Sequence, residues 1–411
     1  MSMTTMHENR RKTLHDAGDW IAAKLSRVTS SHVFIPEVDG LRFLALVPVL
    51  VLHSTSHFLL WRGWTDFSGN WSAGHGPVLA VLGLGWVGVQ IFFVLSGFVV
   101  ALPFARQAFE GAPSPRLKRY FMRRLTRIEP PYVVALLAMY AHVHHYRALL
   151  PDLIAGLFYV HVPAYGSRNP INIVTWSLEV EVGFYLLAPW LTRVYRVGGR
   201  SERWMLQLGL IVTWGYAVDR WIDPTGSVRL TQTLPAYLAY FLMGILLADL
   251  YASGVLRRSG RWVWDAVAAV SAFAVLYGAA GDWHLHWLLA VLIGGIFIGG
   301  MKGRFVNGFL RLRWVTIAGG MCYSAYLWHT AMLLAIRDWL ARLVPHGLAD
   351  GPAALFFCAI AVPILIVLTA PIYYFLEKPF MNGPGSRYLE GKLRAAAGMV
   401  RRPVAADVAV R

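Results

Sequence analysis

The chain has 411 residues, of which 57% are hydrophobic and only 15% charged, and its net charge is +16. Soluble domains carry about a quarter charged residues, so this composition excludes an ordinary soluble enzyme and points to an all-α polytopic membrane protein. In a soluble chain the positive charge would suggest nucleic acid; here positively charged cytoplasmic loops account for it.

Residues 1–38 are polar and basic. Leu14, Ile21, Leu25 and Val28 recur at helical spacing, with Lys12, Lys24 and Arg27 elsewhere on the wheel. That is the pattern of an amphipathic helix on a membrane surface, and a disordered tail fits it as well. The first apolar run follows with no small-residue cleavage site, so it reads as a retained transmembrane helix and not a signal peptide. Ten spans are predicted, at roughly 41–60, 77–104, 130–147, 174–192, 204–221, 231–251, 262–280, 286–301, 314–336 and 353–376. The apolar piece near 150–162 is short and bracketed by Pro151 and Pro163. It reads as a re-entrant or interfacial helix. With the N-terminus inside, only seven of the 38 lysines and arginines fall outside: Arg62, Arg147, Arg168, Arg220, Arg229, Arg337 and Arg342. The positive-inside rule therefore places both termini in the cytoplasm. The membrane domain runs over 39–381, and 382–411 forms a basic cytoplasmic tail.

Several features have ordinary explanations. Gly83-Leu-Gly85-Trp-Val-Gly88 matches a dinucleotide fingerprint as a string, but it lies inside a predicted span with no preceding strand, so it signals close helix packing. Gly295 and Gly299 form a small-residue face of the same kind. Most of the 17 tryptophans, Trp61, Trp221, Trp262 and Trp314 among them, sit near span ends as an aromatic belt. Cys322 and Cys358 both lie in apolar runs and read as small hydrophobes, not as a disulfide or metal pair.

Four sets of polar residues exceed what packing needs. Asp39-Gly-Leu-Arg42 opens the first span and His53 follows eleven residues after the arginine. Arg42 and His53 are then about 20° apart around a helix and about 16 Å apart along it. Titratable groups inside a span are functional-site hypotheses by default. A lone buried histidine is often structural; the same-face arginine favours a catalytic one. His57 makes an HxxxH pair with His53, but no third ligand is evident and no metal is expected. The second set is the basic loop carrying Arg106, Arg116, Lys118, Arg119, Arg123, Arg124 and Arg127. Topogenic charge explains part of it; arginine forks also suit the phosphates of a nucleotide-bearing donor. In the third, Ser177, Glu181 and Tyr185 share one helix face, whereas Glu179 points about 200° away from Glu181. Glu181 is expected to lie about 10 Å below the outer surface. In the fourth, Tyr326 and His329 are neighbours at i, i+3 and could line a polar cavity or make an interhelical hydrogen bond. Near the end of the last span, Glu377 could pair with an arginine and lock the bundle.

These strings resemble the integral-membrane acyltransferase 3 family. Asp39-Gly-Leu-Arg42 with His53 is similar to that family's first helix, and Gly88-Val-Gln-Ile-Phe-Phe-Val-Leu-Ser-Gly-Phe98 to its second. Arg124-Leu-Thr-Arg127-Ile with the following prolines and Tyr132 resembles its basic loop. Trp176-Ser-Leu with Glu181 and Phe184-Tyr185, then Tyr326-Leu-Trp-His329, then Glu377-Lys-Pro-Phe380 complete the series over about 35–381. The resemblance implies a bacterial cytoplasmic-membrane enzyme that transfers an acyl group, usually acetyl, from cytoplasmic acyl-CoA. The acceptor it implies is a hydroxyl of a sugar in a surface polysaccharide, lipid-linked glycan or glycosylated natural product such as a macrolide. No permanently bound cofactor is implied. Some members carry a fused extracytoplasmic hydrolase-like domain, which this chain is expected to lack.

On this reading the donor phosphates dock on Arg42, Arg124 and Arg127. His53 acts as general base or carries the acyl group, and Glu181 orients the imidazole or binds the acceptor. Ser177, Tyr185, Tyr326 and His329 line the acceptor path or support the site. The rival from another class is a transporter or flippase whose polar residues line a translocation path.

Overall fold

A computed structural model describes residues 19, 22–27, 34–65, 75–142, 147–280, 286–381, 387–389 and 391–392. Among them all regular structure is helical, with no strand. Ten helices of at least 16 residues stand out. They are α1 (Pro36–Trp61), α2 (Val87–Glu110), α3 (Leu117–His142), α4 (Trp176–Leu191), α5 (Arg200–Ala217), α6 (Leu234–Ala252), α7 (Trp262–Ala280), α8 (His286–Lys302), α9 (Cys322–Ala341) and α10 (Asp350–Ile372). Each predicted span overlaps one of them, the second and ninth only in part. Four helical stretches are long and apolar enough to cross a membrane: Pro36–Trp61, Pro77–Glu110, Val228–Ala252 and Asp350–Phe380. The chain is a membrane protein built on these.

α1 is central. Pro36 starts it with a pre-set φ, and Glu37 and Asp39 favour the positive end of its dipole. It packs against α2, α9 and α10 and against the short helix Arg313–Gly320. The α1–α2 approach depends on missing side chains. A Cβ at Gly85 would lie 2.1 Å from the Pro48 carbonyl oxygen, and one at Gly88 2.2 Å from that of Ala45. The glycine string is therefore a packing device. α2 also lies along α6, where Gly97 and Gly244 face each other, and Gly295 and Gly299 serve the α7–α8 contact in the same way. Trp262 and Trp221 are exposed, as belt residues should be, and both cysteines are buried free thiols.

Three expectations change. Arg119, Arg123, Arg124 and Arg127 are not in a loop: α3 begins at Leu117 and runs on through Pro130-Pro131. Arginine, lysine, leucine and methionine are good helix formers, and their propensity extends the helix into the charged stretch. The ninth predicted span is broken at Met321, between the helix Arg313–Gly320 and α9. Gly319 and Gly320 are poor helix formers, and a Cβ at Gly319 would meet the Asp39 carbonyl oxygen at 1.8 Å. The piece near 150–162 is two short helices, Leu150–Leu157 and His161–Tyr165, with Tyr159 between them at φ 58°.

Leu14, Ile21 and Val28 of the proposed amphipathic helix lie outside the described residues, as does most of the C-terminal tail. What is described of the N-terminal segment joins the bundle. Ala22 packs with Ile317, Met321, Tyr373 and Met381, and Arg27 forms a 2.8 Å ion pair with Asp39. Glu377 is fully buried and bonds to Ser324, accepting from its amide at 3.1 Å and its hydroxyl at 2.7 Å. It ties α9 to the chain beyond α10 through a serine, while the charges of Arg127 and Arg27 act on it from beyond contact distance.

Between α5 and α6 lies a closed polar cluster. Fully buried Asp249 accepts from Arg203 Nε (2.5 Å) and Nη2 (3.0 Å), Trp204 Nε1 (3.1 Å), Gln207 Nε2 (3.0 Å) and Ser253 Oγ (3.0 Å). The Arg203 guanidinium also stacks on Phe109 at 4.2 Å.

Candidate active site

α1, α2, α3, α4 and α9 line a partly open cavity of about 110 Å³, measured as room for the centres of water-sized molecules. Seven of the nine residues singled out from the sequence line it: Arg42, Arg124, Arg127, Ser177, Glu181, Tyr185 and Tyr326. Helix phase explains the grouping. Arg124 and Arg127 stand at i, i+3 on α3, and Ser177, Glu181 and Tyr185 at i, i+4, i+8 on α4. Glu179, on the other side of α4, is turned away and accepts instead from the Val162 amide at 2.9 Å.

Each arginine is held differently. Arg42 is buried and ion-paired to Asp39, which Arg27 also contacts. The Arg124 guanidinium lies over two tyrosine rings, Tyr120 at 5.7 Å and Tyr185 at 5.5 Å, and Tyr120 donates to the Tyr185 carbonyl at 3.0 Å. Those contacts use ring faces and, apart from one hydrogen bond to Tyr120, leave the guanidinium N–H groups for a ligand. Arg127 lines the cavity with no hydrogen bond to another described residue.

Glu181 accepts hydrogen bonds from Ser96 Oγ and Tyr185 Oη on one oxygen. Its bonds do not reach His53. Instead the carboxylate shares the cavity with the three arginines, an arrangement set by how α4 meets α2. Ser96, in the string Gly88–Phe98 of α2, orients Glu181. Tyr323 and Cys322 line the same wall from α9. Ser96 stands inside a string that carried the resemblance and Tyr323 one turn before another, so the signal was present without a partner to interpret it.

Tyr326 links this lining to the histidines. Its hydroxyl is 2.7 Å from Ser177 Oγ and donates to the Val174 carbonyl at 3.2 Å, and its ring meets Phe92 edge-on at 6.0 Å. One turn on, the His329 ring lies 5.9 Å from Tyr326 and 4.9 Å from His53. His53 and His329 themselves are not among the cavity's lining residues. His53 is half-buried while His57, a turn further along α1, is buried. Among the described residues no three His, Cys, Asp or Glu side chains group as metal ligands.

The chain can now be set beside known proteins. Residues 35–370 match the model of an acyltransferase domain, acyltransferase 3. The chain is 24% identical over 401 residues to the peptidoglycan O-acetyltransferase OatA of Listeria monocytogenes serovar 1/2a, an alignment covering 88% of this chain and 58% of that protein. It is 22% identical over 380 residues to the O-acetyltransferase OatA of Staphylococcus aureus strain NCTC 8325, covering 84% and 57% respectively. It thus spans under three fifths of the length of these relatives. No solved structure matches it.

Proposed function

Because the chain belongs to the acyltransferase 3 family, we propose that it is a membrane O-acyltransferase moving an acyl group, acetyl in the first instance, from acyl-CoA to a sugar hydroxyl of a cell-envelope glycan. The observation that carries this is one cavity in which three arginines meet Glu181, Ser177 and Tyr326, with Tyr326 leading on to the His329–His53 pair. The printed activities of the relatives support the acetyl group and the glycan. Ten membrane spans with both termini cytoplasmic put the arginine-rich start of α3 on the donor's side.

In this reading Arg124 and Arg127, with Arg42 behind them, hold the donor phosphates. Glu181, fixed by Ser96 and Tyr185, keeps acceptor capacity for a substrate N–H or O–H. His53 takes the proton of the acceptor hydroxyl. That oxygen attacks the thioester carbonyl carbon, the C–S bond breaks, and the departing CoA thiolate takes the proton back from the imidazolium. The products are a sugar ester and free CoA, with nothing else consumed.

The test is direct. Purified protein in lipid is given acetyl-CoA, and free thiol is followed with and without glycan acceptor. Acceptor-dependent CoA release is expected. No release under either condition would overturn enzymatic transfer and favour transport. Mass spectrometry of surface glycans from a deletion strain then names the acceptor.

A further inference from the structure

His329 is unusual in how its ring is used. It is only 1% exposed. Its Nδ1 lies 2.7 Å from the Tyr326 carbonyl oxygen and 3.1 Å from that of Ala325. A carbonyl oxygen can only accept, so Nδ1 is the protonated nitrogen, and in the neutral ring Nε2 carries a lone pair. Nε2 is buried without a hydrogen-bond partner among the described residues. A buried polar atom left unpaired is costly and calls for an explanation. The ring packed closest to it is that of His53, at 4.9 Å and tilted by 56°.

We propose that His329 is the positioning residue for His53: its Nε2 accepts an N–H from the His53 ring, fixing which His53 nitrogen is left free to take a proton. The inference rests on the reading of His53 as the base. The imidazole χ2 torsion is soft, so a small rotation of either ring closes the bond. The resulting chain runs from the Tyr326 carbonyl through His329 to His53 and then to the acceptor hydroxyl. When His53 takes the hydroxyl proton its bond to His329 becomes charge-assisted, and such bonds are about twice as strong as neutral ones. The stabilisation appears as the proton moves and disappears when the CoA thiolate removes it, which is where a catalyst gains rate. His329 thus does with a neutral ring what a carboxylate does for the histidine of a hydrolytic triad. A buried carboxylate would carry a desolvation cost that an imidazole avoids.

Two amide substitutions separate this from a structural role. Asn reaches the Nδ1 position and can keep a bond to the Tyr326 or Ala325 carbonyl, but offers nothing at Nε2. Gln reaches the Nε2 position with an oxygen that can accept from His53. For His329→Asn, kcat is expected to fall roughly 10- to 100-fold, a share of the 10²–10⁴ that a positioned base contributes, with the KM for acetyl-CoA unchanged. For His329→Gln most of that loss is expected to be recovered. Nitrogen-15 spectra of histidine-labelled protein should show His329 protonated at Nδ1, and the His53 signals should change in His329→Asn. Equal activity of both variants, high or low, would overturn the proposal, as would a protonated Nε2 on His329. Full activity of His53→Ala would instead remove the base itself, which separates failure of that reading from failure of this one.

Discussion

Two buried polar clusters in this protein contrast sharply. Around Asp249 the charged groups are satisfied by protein: five donors from four side chains saturate the carboxylate, and Phe109 covers the guanidinium of Arg203, with only the neutral Gln207 Oε1 left over. Around the cavity the groups are equally charged but less used. Arg124 presents its N–H edges, Arg127 has no hydrogen bond to another described residue, and His329 Nε2 has none either. Burial of charge is common to both, so burial does not mark the site. Unused capacity on several charged groups that face one cavity does, because leaving charge unpaired inside a protein is costly unless something else arrives to use it.

Substitutions on each side should therefore fail in different ways. The largest expected effect is His53→Ala, with a loss of kcat on the order of 10²–10⁴-fold, the contribution of a positioned base. Glu181→Gln should reduce activity as well, since among the described residues it replaces the only carboxylate lining the cavity. Both variants should express and insert normally; thiol release and thermal unfolding in detergent read the two properties separately. Full transfer by either variant would remove that residue from the mechanism. Asp249→Ala is the converse. It strands Arg203 inside the bundle, and breaking a buried pair from one side costs about 3–5 kcal/mol. Unfolding should be easier by that order, while kcat per folded molecule stays near wild type. A stable but inactive Asp249→Ala would erase the contrast.

The sequence could place helices and phases along a single helix, and it did so for the reason that both are local. The 200° between Glu179 and Glu181 follows from helix geometry alone, and the structure sends one to Val162 and the other into the cavity. Gly85 and Gly88 were readable as close contacts because a membrane span has little other use for them. What could not be read was register between helices. Nothing local says that Glu181 meets Ser96, that His53 meets His329, or that Arg203 meets Asp249, since each pair joins residues on different helices. The extension of α3 through Arg119–Arg127 was missed because charge was taken as the mark of a loop. Once a neighbouring bundle shields one face, the strong helix propensity of those same residues decides the matter.

The smallest of these effects belongs to Arg127, and it bears most directly on the donor. Arg127 holds no described protein partner by hydrogen bond, though its charge faces the buried carboxylates of Glu377 and Asp39, so Arg127→Ala should cost only a modest loss of stability, smaller than that of Asp249→Ala. If its guanidinium grips a donor phosphate, the loss is one charge-assisted interaction of about 1.5–3 kcal/mol, or roughly a tenfold or greater rise in the KM for acetyl-CoA at 1.4 kcal/mol per factor of ten. The turnover of bound donor should be little changed, because the phosphates lie far from the breaking C–S bond and are held equally before and during transfer. Raising the salt concentration should weaken donor use by wild type more than by the variant, since screening acts on a charge the variant no longer has. An unchanged KM in Arg127→Ala, with unfolding made easier instead, would class Arg127 with Arg203 as a structural cation and leave Arg42 and Arg124 to hold the donor.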